Sequence, residues 1–274
     1  MSRDALRRRL LTALPLMALP WLPRRVRAQV LAKQAAAPHG GDPLGSLLWP
    51  DLQREFIGQA PWAFTDQVSV SGPTMAEDAM HVPMLVDARK LAATHTVRRI
   101  RIVVDRNPIR HVLDFEPLQA EAVLALRLRM QQASPVRALV ETADGHWHVA
   151  GTWVQAAGGG CTVAGASRVD GSWSKTLNQV QARLYGVGAT GSRRMRLRIM
   201  HPMDTGFVPG VPAFLLAHLS LSDGRGRDLW RMALHEPVAE NPLMTMELPP
   251  DVQTPLRLRG GDNNGNQLDV VAQA

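Results

Sequence analysis

The sequence predicts an all-β chain of two immunoglobulin-like β-sandwich domains in tandem, with a short helix ahead of the first. Three observations predict it. From residue 68 onward, apolar and polar residues alternate with the period of half-buried strands. About seven short strand patterns occur in each half, separated by glycine and proline turns. A run of three glycines at residues 158–160 divides the halves.

The strand pattern is clearest in one segment of each half. Residues 97–105 read VRRIRIVVD, with Ile100, Ile102 and Val104 on one face, and residues 193–199 read RRMRLRI, with Met195, Leu197 and Ile199 opposite three arginines. Residues 123–130 read VLALRLRM, which assigns Arg127 and Arg129 to the face opposite the leucines. Ahead of the first strand, Leu48, Leu52 and Phe56 have the spacing of an amphipathic helix. The sequence therefore predicts a short helix ahead of the first sandwich.

The first 28 residues have the layout of an export signal that is cleaved before Gln29. They hold seven arginines and one acidic residue, around an apolar stretch from Leu10 to Leu22. That stretch has 13 residues and two prolines, whereas about 20 apolar residues are needed to span a bilayer. We expect a periplasmic protein without a permanent membrane anchor, exported by the twin-arginine or the general route.

The net charge of +7 comes from this signal and does not indicate a nucleic-acid partner. Without the first 28 residues, the chain keeps 24 basic and 23 acidic residues, a net charge of +1. The predicted divisions are then a linker at 29–46, a first sandwich at 47–157, a glycine-rich joint at 158–172 and a second sandwich at 173–274.

Cys161 is the only cysteine of the chain, so it cannot form an internal disulfide in an oxidising compartment. Gly158, Gly159 and Gly160 precede it, and small residues follow it. We expect a flexible arm that exposes the thiol. No Lys, Arg or His lies within five residues to lower the thiol pKa. The pattern therefore predicts a handle for a partner's active site rather than a catalytic nucleophile.

Histidine and methionine residues offer an alternative, a copper site. His146 and His148 are two residues apart on a predicted strand, and Met200, His201 and Met203 are close in sequence. The same residues also suit surface histidines and core-filling methionines. The signatures G-x-S-x-G, P-loop and H-E-x-x-H do not occur, so we expect no enzyme, no cofactor and no resident metal.

Several longer motifs resemble one known family. HPMDTG at 201–206, AENPLMTMELP at 239–249 and GGDNNGN at 260–266 resemble SoxZ, in that order. GPTMAEDAMHVPMLVDA at 72–88, with the cysteine stretch further along, resembles SoxY. The chain from about residue 47 is thus similar to a SoxY–SoxZ fusion, the quinoprotein dehydrogenase-associated SoxYZ-like carriers.

The resemblance implies a carrier in which Cys161 holds sulfur intermediates covalently, with Gly158–Gly160 as the arm. Its partners would be periplasmic enzymes, either those of thiosulfate oxidation or a quinoprotein dehydrogenase. The family places the cysteine between glycines at the chain end, whereas Thr162 and Val163 follow Cys161 here. An accessory module of the dehydrogenase, with a dispensable Cys161, remains an alternative.

Overall fold

The computed structural model describes residues 41–272 and has the predicted all-β architecture. The predicted signal at 1–28 and residues 29–40 of the predicted linker lie outside the described residues. No helix within residues 41–272 is long and apolar enough to cross a membrane. The helices are short: α1 Trp49–Phe56, α2 Arg89–Ala92, α3 Ala166–Val169 and α4 Trp173–Thr176.

Between residues 41 and 272, sixteen strands make up the rest of the regular structure. The first half contributes β1 Trp62–Phe64, β2 Ser69–Ser71, β3 Met75–Ala76, β4 Val82–Asp87, β5 Val97–Val104, β6 His111–Glu116, β7 Val123–Leu128, β8 Ser134–Thr142 and β9 Trp147–Ala156. The second contributes β10 Val180–Val187, β11 Arg193–Ile199, β12 Leu216–Ser222, β13 Asp228–Leu234, β14 Leu243–Leu248, β15 Leu256–Asp262 and β16 Gln267–Ala272.

Both sheets run through both halves of the chain. The larger sheet has the order β1-β9-β8-β5-β6-β13-β12-β15-β16, with β3 also pairing β9, and the smaller has β10-β11-β14-β7-β4-β2. The halves meet where β6 pairs antiparallel with β13 and β7 with β14. The two sandwiches are therefore joined edge to edge by backbone hydrogen bonds.

The hydrophobic core, like the sheets, extends through both halves of the chain. In β11, Met195, Leu197 and Ile199 are buried while the intervening arginines are exposed, as the alternation predicts. Phe115 of the first half lies opposite Met232 of the second, and its ring is 6.5 Å from that of Trp230. One buried apolar cluster contains residues from both halves. Burial at this junction removes apolar surface from water and stabilises the pairing.

A second, smaller cluster lies under α1. Trp49 and Leu52 of this helix pack against Leu139 of β8 and Trp147 of β9. Because the main core covers one face of β8 and α1 covers the other, eight of the nine β8 residues are buried. The predicted helix thus closes the outer face of the larger sheet.

A buried ion triad fixes the chain ahead of α1. Arg137 donates to Asp42 at 2.7 and 2.8 Å and to Asp105 at 2.9 Å, and its guanidinium lies 4.6 Å from the ring centre of Trp49. The triad's side chains are 0–1% exposed. Residues 41–46, the described part of the predicted linker, are therefore anchored to the first half through a buried charge pair.

We expect the two halves to unfold as one unit, because the sheets and the core cross their boundary. Calorimetry should give one transition whose calorimetric and van 't Hoff enthalpies agree. Phe115→Ala should lower the midpoint of this transition by removing about 3–5 kcal/mol, without splitting it. Two resolved transitions, with only one of them sensitive to Phe115→Ala, would contradict this expectation.

Candidate functional site

Cys161 lies in a turn that follows β9 and packs against the end of β7. Three backbone N–H groups hold this turn. Gly160 donates to the Met130 carbonyl at 3.1 Å, Gly159 to the Gln131 carbonyl at 3.0 Å, and Cys161 to Oε1 of Gln131 at 3.2 Å. We call residues 158–167 the cysteine loop.

The predicted flexible arm is instead a packed turn, and its glycines are required by close contacts and by the backbone conformation. A Cβ on Gly160 would lie 2.1 Å from the Ala79 carbonyl oxygen, so a side chain would force the backbone apart. Gly158 and Gly159 have φ values of +99° and +81°, a conformation that glycine adopts without a steric cost. Close approach and a left-handed backbone explain these residues.

The Cys161 thiol is buried, at 2% exposure, which contradicts the expectation of an exposed thiol. The small neighbours of Cys161 cannot wall it in, but distant segments do. The Thr205 hydroxyl of the second half donates to the Cys161 carbonyl at 2.5 Å. Burial raises the thiol pKa to about 11, although the charge of Arg129 acts in the opposite direction. The closed site therefore holds Cys161 as a neutral thiol.

Arg129 is the site residue that the sequence pattern misplaces. Alternation assigns Arg127 and Arg129 to one solvent face, but only Arg127 is exposed. β7 ends at Leu128, and the next residues are covered by the cysteine loop and by the chain at 237–238. Arg129 is 1% exposed, and burial lowers its pKa. The only sequence signal for it is its place just beyond the strand end.

The Arg129 guanidinium joins the cysteine loop to the second half through four backbone carbonyls. Nη1 donates to Gly160 and Val163, both at 3.3 Å. Nη2 donates to Pro202 at 3.4 Å and Met203 at 3.3 Å. The residues on both sides of Cys161 are thus held by the same side chain that holds the segment at 202–203.

The HPMDTG motif at 201–206 supplies that second segment. Asp204 pairs with Arg168 of α3, and Thr205 binds the Cys161 carbonyl. His201 is buried, and its Nδ1 accepts a hydrogen bond from the Met203 N–H at 3.1 Å. Burial lowers the His201 pKa to about 4, so the ring is neutral.

The other two motifs lie beside it. Oε1 of Glu240, in the segment 239–249, accepts a hydrogen bond from the Ser167 N–H at 2.7 Å. Asp262, in the segment 260–266, has Oδ2 at 3.8 Å from Nε2 of His201. This last segment comprises the end of β15 and the turn that leads to β16. The first two motifs therefore contact the cysteine loop, and the third lies against His201 of the first.

The residues of the copper hypothesis do not form one cluster. His146 and His148 lie 4.9 Å apart between ring centres, with His95 5.3 Å from His148. His201 and Met203 belong to the cysteine site, where both are buried. Within the part of the chain that the structure describes, no group of three or more His, Cys, Asp or Glu residues has a metal-binding arrangement.

Comparison with known families assigns the first half. Residues 53–161 match the family of the sulfur oxidation protein SoxY. The match ends at Cys161 and includes Arg129 and Gln131, which contact the cysteine loop. The chain thus carries a SoxY-family domain, and the second half lies outside the match. No curated protein matches the sequence.

Two solved structures that resemble the chain each cover part of it. The sulfur carrier protein SoxY from Chlorobium limicola f thiosulfatophilum is 21% identical, with a TM-score of 0.35, over 40% of this chain and 96% of its own. A superoxide reductase (neelaredoxin) from Ignicoccus hospitalis is 16% identical, with a TM-score of 0.27, over 32% of this chain and 79% of its own.

The close approach at Gly160 predicts that Gly160→Ala opens the cysteine loop. The added methyl group should cost about 1–3 kcal/mol, and a change of 1.4 kcal/mol corresponds to about a tenfold change in an equilibrium. The rate of thiol modification by a neutral reagent should rise accordingly. Gly186→Ala is the control, because a Cβ there meets open space. Equal rates for wild type and Gly160→Ala would show that this contact does not hold the loop closed.

The buried histidine makes stability depend on pH. The His201 pKa is about 4 in the folded chain against an ordinary 6.5, so between these values the unfolded chain binds more protons. Stability should be complete above pH 6.5 and fall as the pH drops toward 4. His201 should account for about 1–2 kcal/mol between pH 7 and 5. Urea unfolding of wild type and His201→Gln at both pH values measures the loss, which the variant should reduce.

Proposed function

We propose that this protein is a periplasmic sulfur carrier whose Cys161 holds a sulfur-containing group covalently and presents it to partner enzymes. The observation that carries the proposal is the end of the SoxY match at Cys161, the only cysteine of the chain. The site around that cysteine adds support, because Arg129, Thr205 and Glu240 from three distant segments all bind the backbone of the cysteine loop.

Burial of the thiol suits storage of a reactive group. A persulfide or thiosulfonate bond is open to attack by any thiol in solution, and a closed loop excludes such reagents. Loading and delivery then require the loop to open. The contacts to be broken are the hydrogen bonds of the cysteine loop, and no sheet pairing is among them.

Opening also restores reactivity. The thiolate is the nucleophile, and a thiol with a pKa near 11 supplies little of it at neutral pH. In water the thiol pKa returns toward its ordinary value. When a thiol and thiosulfate are joined, one S–S bond forms, and one proton and two electrons leave. In this proposal a partner oxidoreductase of the periplasm accepts the electrons.

The adduct is testable by intact mass. Protein purified from its native host without reductant should carry an added mass on Cys161, and a phosphine should remove it. Cys161→Ser should show no added mass while keeping its thermal midpoint within about 2–4 °C, the shift that about 1 kcal/mol gives in a chain of this size. A wild-type protein with a uniformly free thiol, isolated during growth on reduced sulfur, would overturn the proposal.

Burial of Cys161 also favours a second candidate, an accessory module of a periplasmic quinoprotein dehydrogenase in which the thiol only packs. Host growth with Cys161→Ser separates the two candidates. A carrier loses its function with that substitution, whereas an accessory module keeps it and copurifies with the dehydrogenase.

A further inference from the structure

Arg129 presents a buried positive charge that no carboxylate neutralises by direct contact. No carboxylate oxygen in residues 41–272 lies within 4.0 Å of its nitrogens. Glu240 exerts the largest attraction on it, but Oε1 of Glu240 binds the Ser167 N–H. Asp204, also nearby, pairs with Arg168. A buried guanidinium without such a partner is costly, which suggests that it has a further use.

The guanidinium also keeps one donor unused. Its four carbonyl bonds come from Nη1 and Nη2, while Nε is buried and has no hydrogen-bond partner. A buried N–H without an acceptor costs free energy comparable to a lost hydrogen bond. An acceptor that arrives with a ligand would satisfy it.

Cys161 is the reactive group beside this charge. Nη1 binds the carbonyls of Gly160 and Val163, which lie on either side of Cys161 in the turn. Arg129 is also the one charged group that lowers the thiol pKa. An anionic oxygen or sulfur attached to Cys161 would meet the guanidinium in a low-dielectric site, where charge-assisted hydrogen bonds are strong.

We propose that Arg129 is a specificity-determining residue that makes the closed site select an anionic group on Cys161 over a neutral or cationic one. The inference rests on the proposed carrier function and names the chemical class of the bound group, one that ends in sulfonate or sulfide. It also gives the closed loop a means to distinguish a loaded carrier from an empty one, since only the loaded thiol completes the Nε hydrogen bond.

Three methanethiosulfonate reagents test this preference on the full chain. The Cys161 thiolate attacks the sulfenyl sulfur, a disulfide forms and methanesulfinate leaves, so each reagent deposits a defined group. The sulfonatoethyl reagent gives an anionic adduct, the trimethylammonioethyl reagent a cationic one and the methyl reagent a neutral one. Labelling in guanidinium chloride followed by refolding ensures full occupancy, which intact mass verifies.

The thermal midpoint should be highest for the anionic adduct and lowest for the cationic one. We expect a gap of about 2–4 °C or more between the two, which corresponds to about 1 kcal/mol in a chain of this size. In Arg129→Gln the gap should close, and in Arg129→Lys part of it should return. Arg127→Gln removes an exposed arginine two residues away and should leave the gap unchanged.

A charge effect of the whole protein is controlled with Cys161→Ser/Ala189→Cys, which moves the label to an exposed turn between β10 and β11. Its two charged adducts should have equal midpoints. Equal midpoints for wild-type adducts, or a gap that persists in Arg129→Gln, would overturn the role of Arg129. If that variant fails to refold, the rate at which dithiothreitol removes each adduct from the wild-type protein tests the proposal. The anionic adduct should be released more slowly than the cationic one, and equal rates would overturn the proposal.

These outcomes are independent of the natural cargo. Failure of the carrier proposal would appear as a free thiol in protein from the native host. Failure of the Arg129 proposal would appear as indifference of the labelled protein to adduct charge. Each result can occur without the other.

Discussion

The buried guanidinium of Arg129 is the contact on which the geometry of the cysteine site depends. It solvates its charge with carbonyls from two loops that are distant in sequence, at 160–163 and at 202–203. A charge taken out of water requires such donors and acceptors in fixed places. The guanidinium therefore helps to fix the arrangement of the two loops, together with the Thr205–Cys161 hydrogen bond and the Arg168–Asp204 pair. Because the two halves pair edge to edge, both loops lie within hydrogen-bonding distance of the Arg129 guanidinium.

Only a few hydrogen bonds, all made by the cysteine loop, keep the thiol covered. Three N–H groups of the turn, the Thr205 hydroxyl and the two Arg129 contacts hold residues 159–163. None of these bonds belongs to a sheet. Segments with few buried contacts open at a lower free energy than the whole chain unfolds. The site can therefore open while the sandwich remains folded, and this separation lets a stable fold carry an intermittently accessible group.

Sequence reasoning recovered what depends on local period. Alternation located strands such as β5 and β11, and the spacing of Leu48, Leu52 and Phe56 located α1. The sequence does not show which strands pair at the edges, because the pairing of β6 with β13 does not change the alternation of apolar and polar residues in either strand. Sequence reasoning misjudged Cys161 for a related reason: the walls of the thiol come from Arg129 and Thr205, which are 32 and 44 residues away in sequence. The three glycines were interpreted as a flexible arm, but they allow a close backbone contact and positive φ values. Both requirements select glycine, so the sequence alone does not distinguish them.

The chain continues beyond Cys161, and this limits how far the thiol can move toward a partner's active site more than its burial does. Downstream, the Ser167 N–H is bound to Glu240, and Gly165 lies so close to that carboxylate that a Cβ would be 2.3 Å from Oε2. Upstream, β9 ends at Ala156, which pairs with Ala76 of β3. When the hydrogen bonds of residues 159–163 break, only the residues between Ala156 and Ser167 can move, and an extended chain gains at most about 3.3–3.6 Å per residue. The thiol thus cannot travel far from the surface, so a partner's active site has to approach the cysteine loop itself, and complementarity to that surface becomes a requirement on the partner.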